Sequence, residues 1–129
     1  MNSVKEKIIK LEEVSKLSGE SVVLCHGHFN IIHPGHIRYL DFARQQGSKL
    51  IVSIQGDESF HNSERKYSFS EVERAAGVAS IQTVDKVVLL GEENLEKLIK
   101  ELNPAVLVLG KEFEDERDDE VHQAVQLLK

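Results

Sequence analysis

The chain has 129 residues, 40% of them hydrophobic and 29% charged, with a formal net charge of −6. That length suits one domain of ordinary globular composition, and an acidic balance with no long basic run excludes a nonspecific binder of nucleic acid backbones. No apolar run reaches the length of a membrane span, no signal-peptide core follows Met1, and Cys25 is the single cysteine, so no intrachain disulfide, no membrane association and a cytoplasmic location are expected.

Val4, Ile8, Leu11, Val14 and Leu17 recur at helical spacing among Lys and Glu residues. The spacing predicts an amphipathic helix over about residues 4–17, ended by Ser18-Gly19, whose apolar face packs on a sheet or on a partner chain. Ser21-Val22-Val23-Leu24-Cys25 reads as a buried strand, and Ile37 to Gln46 as a helix closed by Gly47. Lys49 to Ile54 is apolar enough to be a strand buried on both faces, with Gln55-Gly56-Asp57-Glu58-Ser59 leaving its carboxyl end. Residues 58–69 are polar and aperiodic and read as a mobile connection. Ser70 with Glu73 three residues on is a capping box, which predicts a helix from about 71 to 82.

Val84 to Leu90 is a third strand. Glu92 to Leu102 is a helix with Leu95, Leu98, Ile99 and Leu102 on one face, stopped by Asn103-Pro104. Ala105 to Leu109 is a fourth strand, and Gly110 opens its loop. Asp118 to Lys129, carrying Val121, Val125 and Leu128, reads as a last helix. Glu112 to Glu120 is an acidic cluster that suits a solvated loop and helix start. Strands alternating with helices imply an α/β domain spanning 1–129, with a parallel sheet covered on both faces.

Between the first of these strands and its helix lies Gly27-His28-Phe29-Asn30-Ile31-Ile32-His33-Pro34-Gly35-His36. A strand, a glycine-bearing loop and a helix start form an anion site in an open α/β sheet, because loop amides and helix N–H groups point at the carboxyl end of the strand. Pro34 suits the first helical turn. His33 and His36 flank that turn; two imidazoles there can hydrogen-bond a polyphosphate and stabilise charge that builds as it is attacked. Gly27 and Gly35 permit close approach of phosphate. The plain alternative is a pair of surface histidines at a helix start. A metal reading also exists, since His26, His28, His33, His36 and Cys25 fall within twelve residues; neighbouring strand residues face opposite ways, which weighs against it.

The same ten residues resemble the Gly-x-Phe-Asp-x-x-His-x-Gly-His signature of the cytidylyltransferase-like nucleotidyltransferases, which include glycerol-3-phosphate cytidylyltransferases and heptose-1-phosphate adenylyltransferases. The resemblance covers about residues 20–115. It implies a Rossmann-like parallel sheet with helices on both faces, and transfer of a nucleoside monophosphate from CTP or ATP to a small phosphorylated acceptor. It also implies Mg2+ held mainly by substrate phosphates, with no protein-held metal, and a homodimer. His33 and His36 would stabilise the transferring phosphate together with Lys66, which falls at the family's spacing ahead of Glu73-Arg74 and Val84-Asp85. Gly27, His28, Phe29, Gly35 and Arg74 would bind the nucleotide, the ring of Phe29 serving packing rather than chemistry.

Gly110-Lys111-Glu112-Phe113 resembles the family's Gly-Asp-Asp-Trp loop, so Gly110, Glu112 and Phe113 join the nucleotide site. Asn30 stands where most relatives carry Asp; it keeps size and one acceptor atom, loses charge, and is assigned to the acceptor. Lys66 slightly favours CTP, whereas the His33 to Leu40 run looks closer to the heptose type. Relatives carry a second, Ser/Thr-rich signature and a further strand near the C-terminus. No such segment precedes Lys129, so the sheet is expected without that strand, the element being supplied by a longer chain, by a partner, or not at all. That departure and Asn30 motivate a rival expectation, a nucleotide-binding or regulatory domain of the same fold without catalysis.

Overall fold

A computed structural model describes residues 4–17, 21–27, 29, 32, 34–56, 69–90 and 95–109. In chain order the elements are Val4–Lys7 (α1), Ile8–Lys10 (β1), a 3-10 helix over Leu11–Leu17, Val22–Gly27 (β2), Pro34–Arg44 (α2), Lys49–Ile54 (β3), Glu71–Ala79 (α3), Lys86–Leu89 (β4), Leu95–Leu102 (α4) and Val106–Leu109 (β5). The predicted last helix, and residues 58–68 of the predicted connection, lie outside the described residues.

Strand side chains alternate between faces, and the alternation divides the core in two. Leu24 and Ile51 pack with Leu11 and Val14 of the 3-10 helix and with Leu95, Leu98 and Leu102 of α4. Val23, Cys25, Leu50 and Val52 pack the other way, against Leu40 and Ala43 of α2 and Ala75, Val78 and Ala79 of α3. β2 and β3 are therefore apolar on both sides, as strands of a covered parallel sheet are.

All strand pairs are parallel, in the order β1-β4-β3-β2-β5. From β2 the chain steps outward to β3 and then β4, with α2 and α3 on one face. It then returns through α4, on the opposite face, to place β5 on the free side of β2. The strand order thus reverses between β2 and β5. Outside the carboxyl ends of two such strands, connections leave in opposite directions and a crevice opens.

The N-terminal stretch departs from the single helix that its periodicity predicts. It forms one helical turn, a three-residue strand and a 3-10 helix. Ile8 packs with the α2/α3 cluster and Ile9 with the α4 cluster, a two-sided burial that one helical stripe cannot provide. β1 pairs with β4 through Ile8–Val87, Ile9–Val88 and Lys10–Leu89, covering hydrogen-bonding groups that an edge strand would leave unpaired.

Local punctuation elsewhere follows the residues. Ser70 Oγ accepts from the Glu73 N–H (3.2 Å) and the Glu73 carboxylate accepts from the Ser70 N–H (3.3 Å), so the capping box starts α3. That helix ends at Ala79 rather than near 82, with Ser80 as its cap. Asn103 closes α4 in the left-handed region (φ 50°), donating its N–H to Ile99 O at 2.8 Å. No helix among the described residues is long and apolar enough to cross a membrane.

Candidate active site at the strand-order reversal

Gly27 is the last residue of β2, buried and paired with Ile54. Phe29 takes a left-handed backbone conformation (φ 51°), uncommon for a bulky residue, and its side chain is buried. Its ring lies 5.4 Å from the His36 ring, tilted by 51°, and 6.4 Å from the Tyr39 ring, nearly parallel at 9°. Residues 36 and 39 share a helix face by their spacing, so one phenyl ring supports both. These centroid separations suit favourable aromatic packing.

The Tyr39 hydroxyl donates to Val108 O on β5 at 2.6 Å. The first turns of α2 are thereby tied across the crevice to the strand on its far side. Gly35 and His36 occupy the second and third positions of α2 and are half-buried. The first turn of a helix attracts anions, and a half-buried imidazole there can donate to a phosphate oxygen.

Arg74 rises from α3 and is only 2% exposed. Its Nη1 donates to Gln55 O (2.7 Å) and its Nε to Phe69 O (3.0 Å). The guanidinium grips the backbone where β3 ends and where α3 is about to begin. His28, Asn30, His33, Lys66, Gly110, Glu112 and Phe113 lie outside the described residues. His26, one residue before the signature segment, pairs with Leu109, the last residue of β5.

The structure adds a buried polar cluster. His26 is 1% exposed. Ser53 Oγ lies 3.3 Å from Cys25 O and 2.8 Å from His26 Nδ1. A neutral ring whose Nε2–H donates to Gln55 Oε1 accepts at Nδ1 from the Ser53 hydroxyl, so both ring nitrogens are engaged. This removes His26 from any transition-metal set. Cys25 faces the opposite cluster; burial pushes its thiol up from 9.0 to about 12, with the Tyr39 hydroxyl opposing part of that rise, and a thiol so disposed is a poor metal ligand. Among the described residues no group of three or more His, Cys, Asp or Glu side chains gathers to hold a metal. The cluster had a visible trace in the chain: Ser53 and Gln55 stand two apart, at and just beyond the end of an apolar strand, at the period of one sheet face.

Comparison with known proteins agrees with this geometry. A family model described as cytidylyltransferase-like matches residues 24–129. The bifunctional protein HldE of Haemophilus ducreyi is 35% identical over 114 residues, covering 87% of this chain and 24% of that protein. HldE of Psychromonas ingrahamii is 37% identical, covering 84% and 23% respectively. The chain thus spans about a quarter of the length of the curated relatives it matches. Among solved structures, the lipopolysaccharide core biosynthesis protein of Thermoplasma volcanium superposes with a TM-score of 0.66 at 26% identity, covering 84% of this chain and 89% of its own. A family model takes in most of a chain whose parallel sheet reverses its strand order beside β2: the protein belongs to the cytidylyltransferase-like family.

Proposed function

We propose that the protein transfers a nucleoside monophosphate from ATP or CTP to a small phosphorylated acceptor, a sugar or polyol phosphate, with release of pyrophosphate. The observation that carries this reading is the placement of His36: a half-buried imidazole, backed by Phe29, at the first turn of α2 and beside the crevice between β2 and β5. An acceptor phosphate oxygen attacks the α-phosphorus, a new P–O bond forms, and the bond to the pyrophosphate oxygen breaks. No covalent enzyme intermediate is needed. The protein's contribution is orientation and stabilisation of charge on the transferring group.

In this reading His36 and His33 donate to phosphate oxygens, and Lys66 supplies a positive charge. Gly27, His28, Phe29 and Gly35 form the loop that the phosphates approach. Gly110, Glu112 and Phe113 hold the nucleoside and Asn30 meets the acceptor. Arg74 contributes from below, by holding the carbonyls of Gln55 and Phe69. In this reading the Mg2+ implied by the family is held mainly by the triphosphate, as part of the substrate, because Mg2+ prefers oxygen ligands and keeps its waters.

ATP with a heptose 1-phosphate is the first substrate pair to test. The His33 to Leu40 run resembles the heptose type, and the solved neighbour is named for lipopolysaccharide core biosynthesis. CTP is the alternative donor on the spacing of Lys66. The assay is pyrophosphate release with each nucleoside triphosphate against a panel of sugar and polyol phosphates. Replacing His36→Ala is expected to lower kcat by about 100-fold or more with a near-native melting temperature; retained turnover removes His36 from the site. Nucleotide binding without turnover for any acceptor supports the second reading, a regulatory domain of the same fold, which Asn30 in place of Asp favours.

A further inference from the structure

The end of β3 is held from three directions. The Gln55 N–H donates to Gly27 O at 2.9 Å, its carbonyl accepts from Arg74 Nη1 at 2.7 Å, and its side-chain amide meets His26 Nε2. Arg74 in turn holds Phe69 O. Three points on the chain are thus joined: Gly27 at the end of β2, Gln55 just after β3, and Phe69 just before α3.

An imidazole is costly to bury unless both nitrogens are bonded. Leu24, two residues earlier on the same face of β2, is apolar and buried, so an apolar residue at position 26 would serve packing alone. A fully bonded polar cluster in a low-dielectric interior fixes geometry instead. Ser53 lies within β3 and anchors the ring from below, while Gln55 lies just beyond the strand, at the crevice rim.

We infer that His26 is a positioning residue for nucleotidyl transfer: braced on Ser53, it holds Gln55 and, through the Arg74 grip on Gln55, fixes the exit from β3 against Gly27, the last residue of β2. The inference rests on the transferase reading above. It assigns to His26 no contact with substrate. The link that matters is the one to Gln55, because Ser53 already belongs to the strand and needs no further ordering.

Two substitutions separate the links. Asparagine places its amide where Nδ1 stands, keeping the Ser53 bond and losing Gln55. Glutamine reaches where Nε2 stands, keeping Gln55 and losing Ser53. Amide hydrogen exchange at Gln55 and Phe69 is measured for both variants in the full chain, alongside kcat, KM and melting temperature. For His26→Asn, exchange at Gln55 is expected to speed up and kcat to fall by about tenfold or more, with KM for the triphosphate moving less than about threefold. His26→Gln should recover both quantities to within about threefold of the parent, at a similar melting temperature. Gln55→Leu cuts the same link from its other end; it should match His26→Asn and add nothing to it in the double variant. Equal exchange and equal kcat in the two His26 variants, or losses that track melting temperature alone, overturn the inference. A parent protein that releases no pyrophosphate overturns the transferase reading and any positioning for transfer with it. The exchange comparison then still decides whether His26 holds Gln55.

Discussion

Cys25 shows how strongly one side chain reports its surroundings. Its thiol is buried between β2 and α2, and desolvation raises its pKa to about 12 from 9.0. The folded state binds the thiol proton more tightly than the unfolded state does. Its contribution to stability is therefore whole below about pH 9 and is lost between about pH 9 and 12, at roughly 1.4 kcal/mol per pH unit. Urea unfolding at pH 8, 9.5 and 10.5 is expected to show this slope in the parent and a shallower one in Cys25→Ala; parallel curves would refute the burial argument. Next to it, His26 was legible in the chain only as one histidine among four. Its two partners come from β3, and pairing between strands places them there, so no local pattern around residue 26 announces a structural role. The helix start that carries His36 was legible because its setting is local: the apolar strand and the helix are close neighbours in the chain.

Among the elements, the β2 start and the turn after α2 illustrate a residue predicted for one reason and needed for another. Gly47 reads as the closure of a helix, yet α2 ends at Arg44. What requires glycine is close approach: a Cβ on Gly47 would stand inside contact distance of Ser21 O and 2.7 Å from Val23 Cγ2. Gly47→Ala should cost about 1–3 kcal/mol as overpacking against backbone, seen as a lower denaturant midpoint at unchanged slope; a neutral result would mean that the turn yields freely. β1 is the element that periodicity misses. Val4, Ile8, Leu11, Val14 and Leu17 fit a helical stripe, but the open edge of β4 lies far along the chain and supplies hydrogen bonds that a local count of apolar positions does not contain. The other four strands were legible because each is a short apolar run bounded by turn residues.

At the scale of the whole molecule, one sheet separates two apolar clusters, and both must be intact for the crevice to exist. Leu98 is fully buried in the cluster beneath α4, on the face away from α2. Leu98→Ala is expected to cost about 2–5 kcal/mol, a large share of the stability of a domain this size. Thermal loss of secondary structure and loss of nucleotide binding should coincide in that variant; binding that disappears first would show the two faces melting separately. The parallel, doubly covered architecture follows from alternating strand and helix patterns. Strand order does not, because the side of β2 on which β5 settles depends on how α4 crosses the sheet.

The Arg74 grip on Gln55 and Phe69 resembles a pair of gateposts set in one footing. Whatever length of chain runs between them, its ends remain at the same two points on the rim, and lengthening such a span costs only about 0.6 kcal/mol per doubling. A lineage could lengthen, shorten or rewrite that span without disturbing a single strand beneath it.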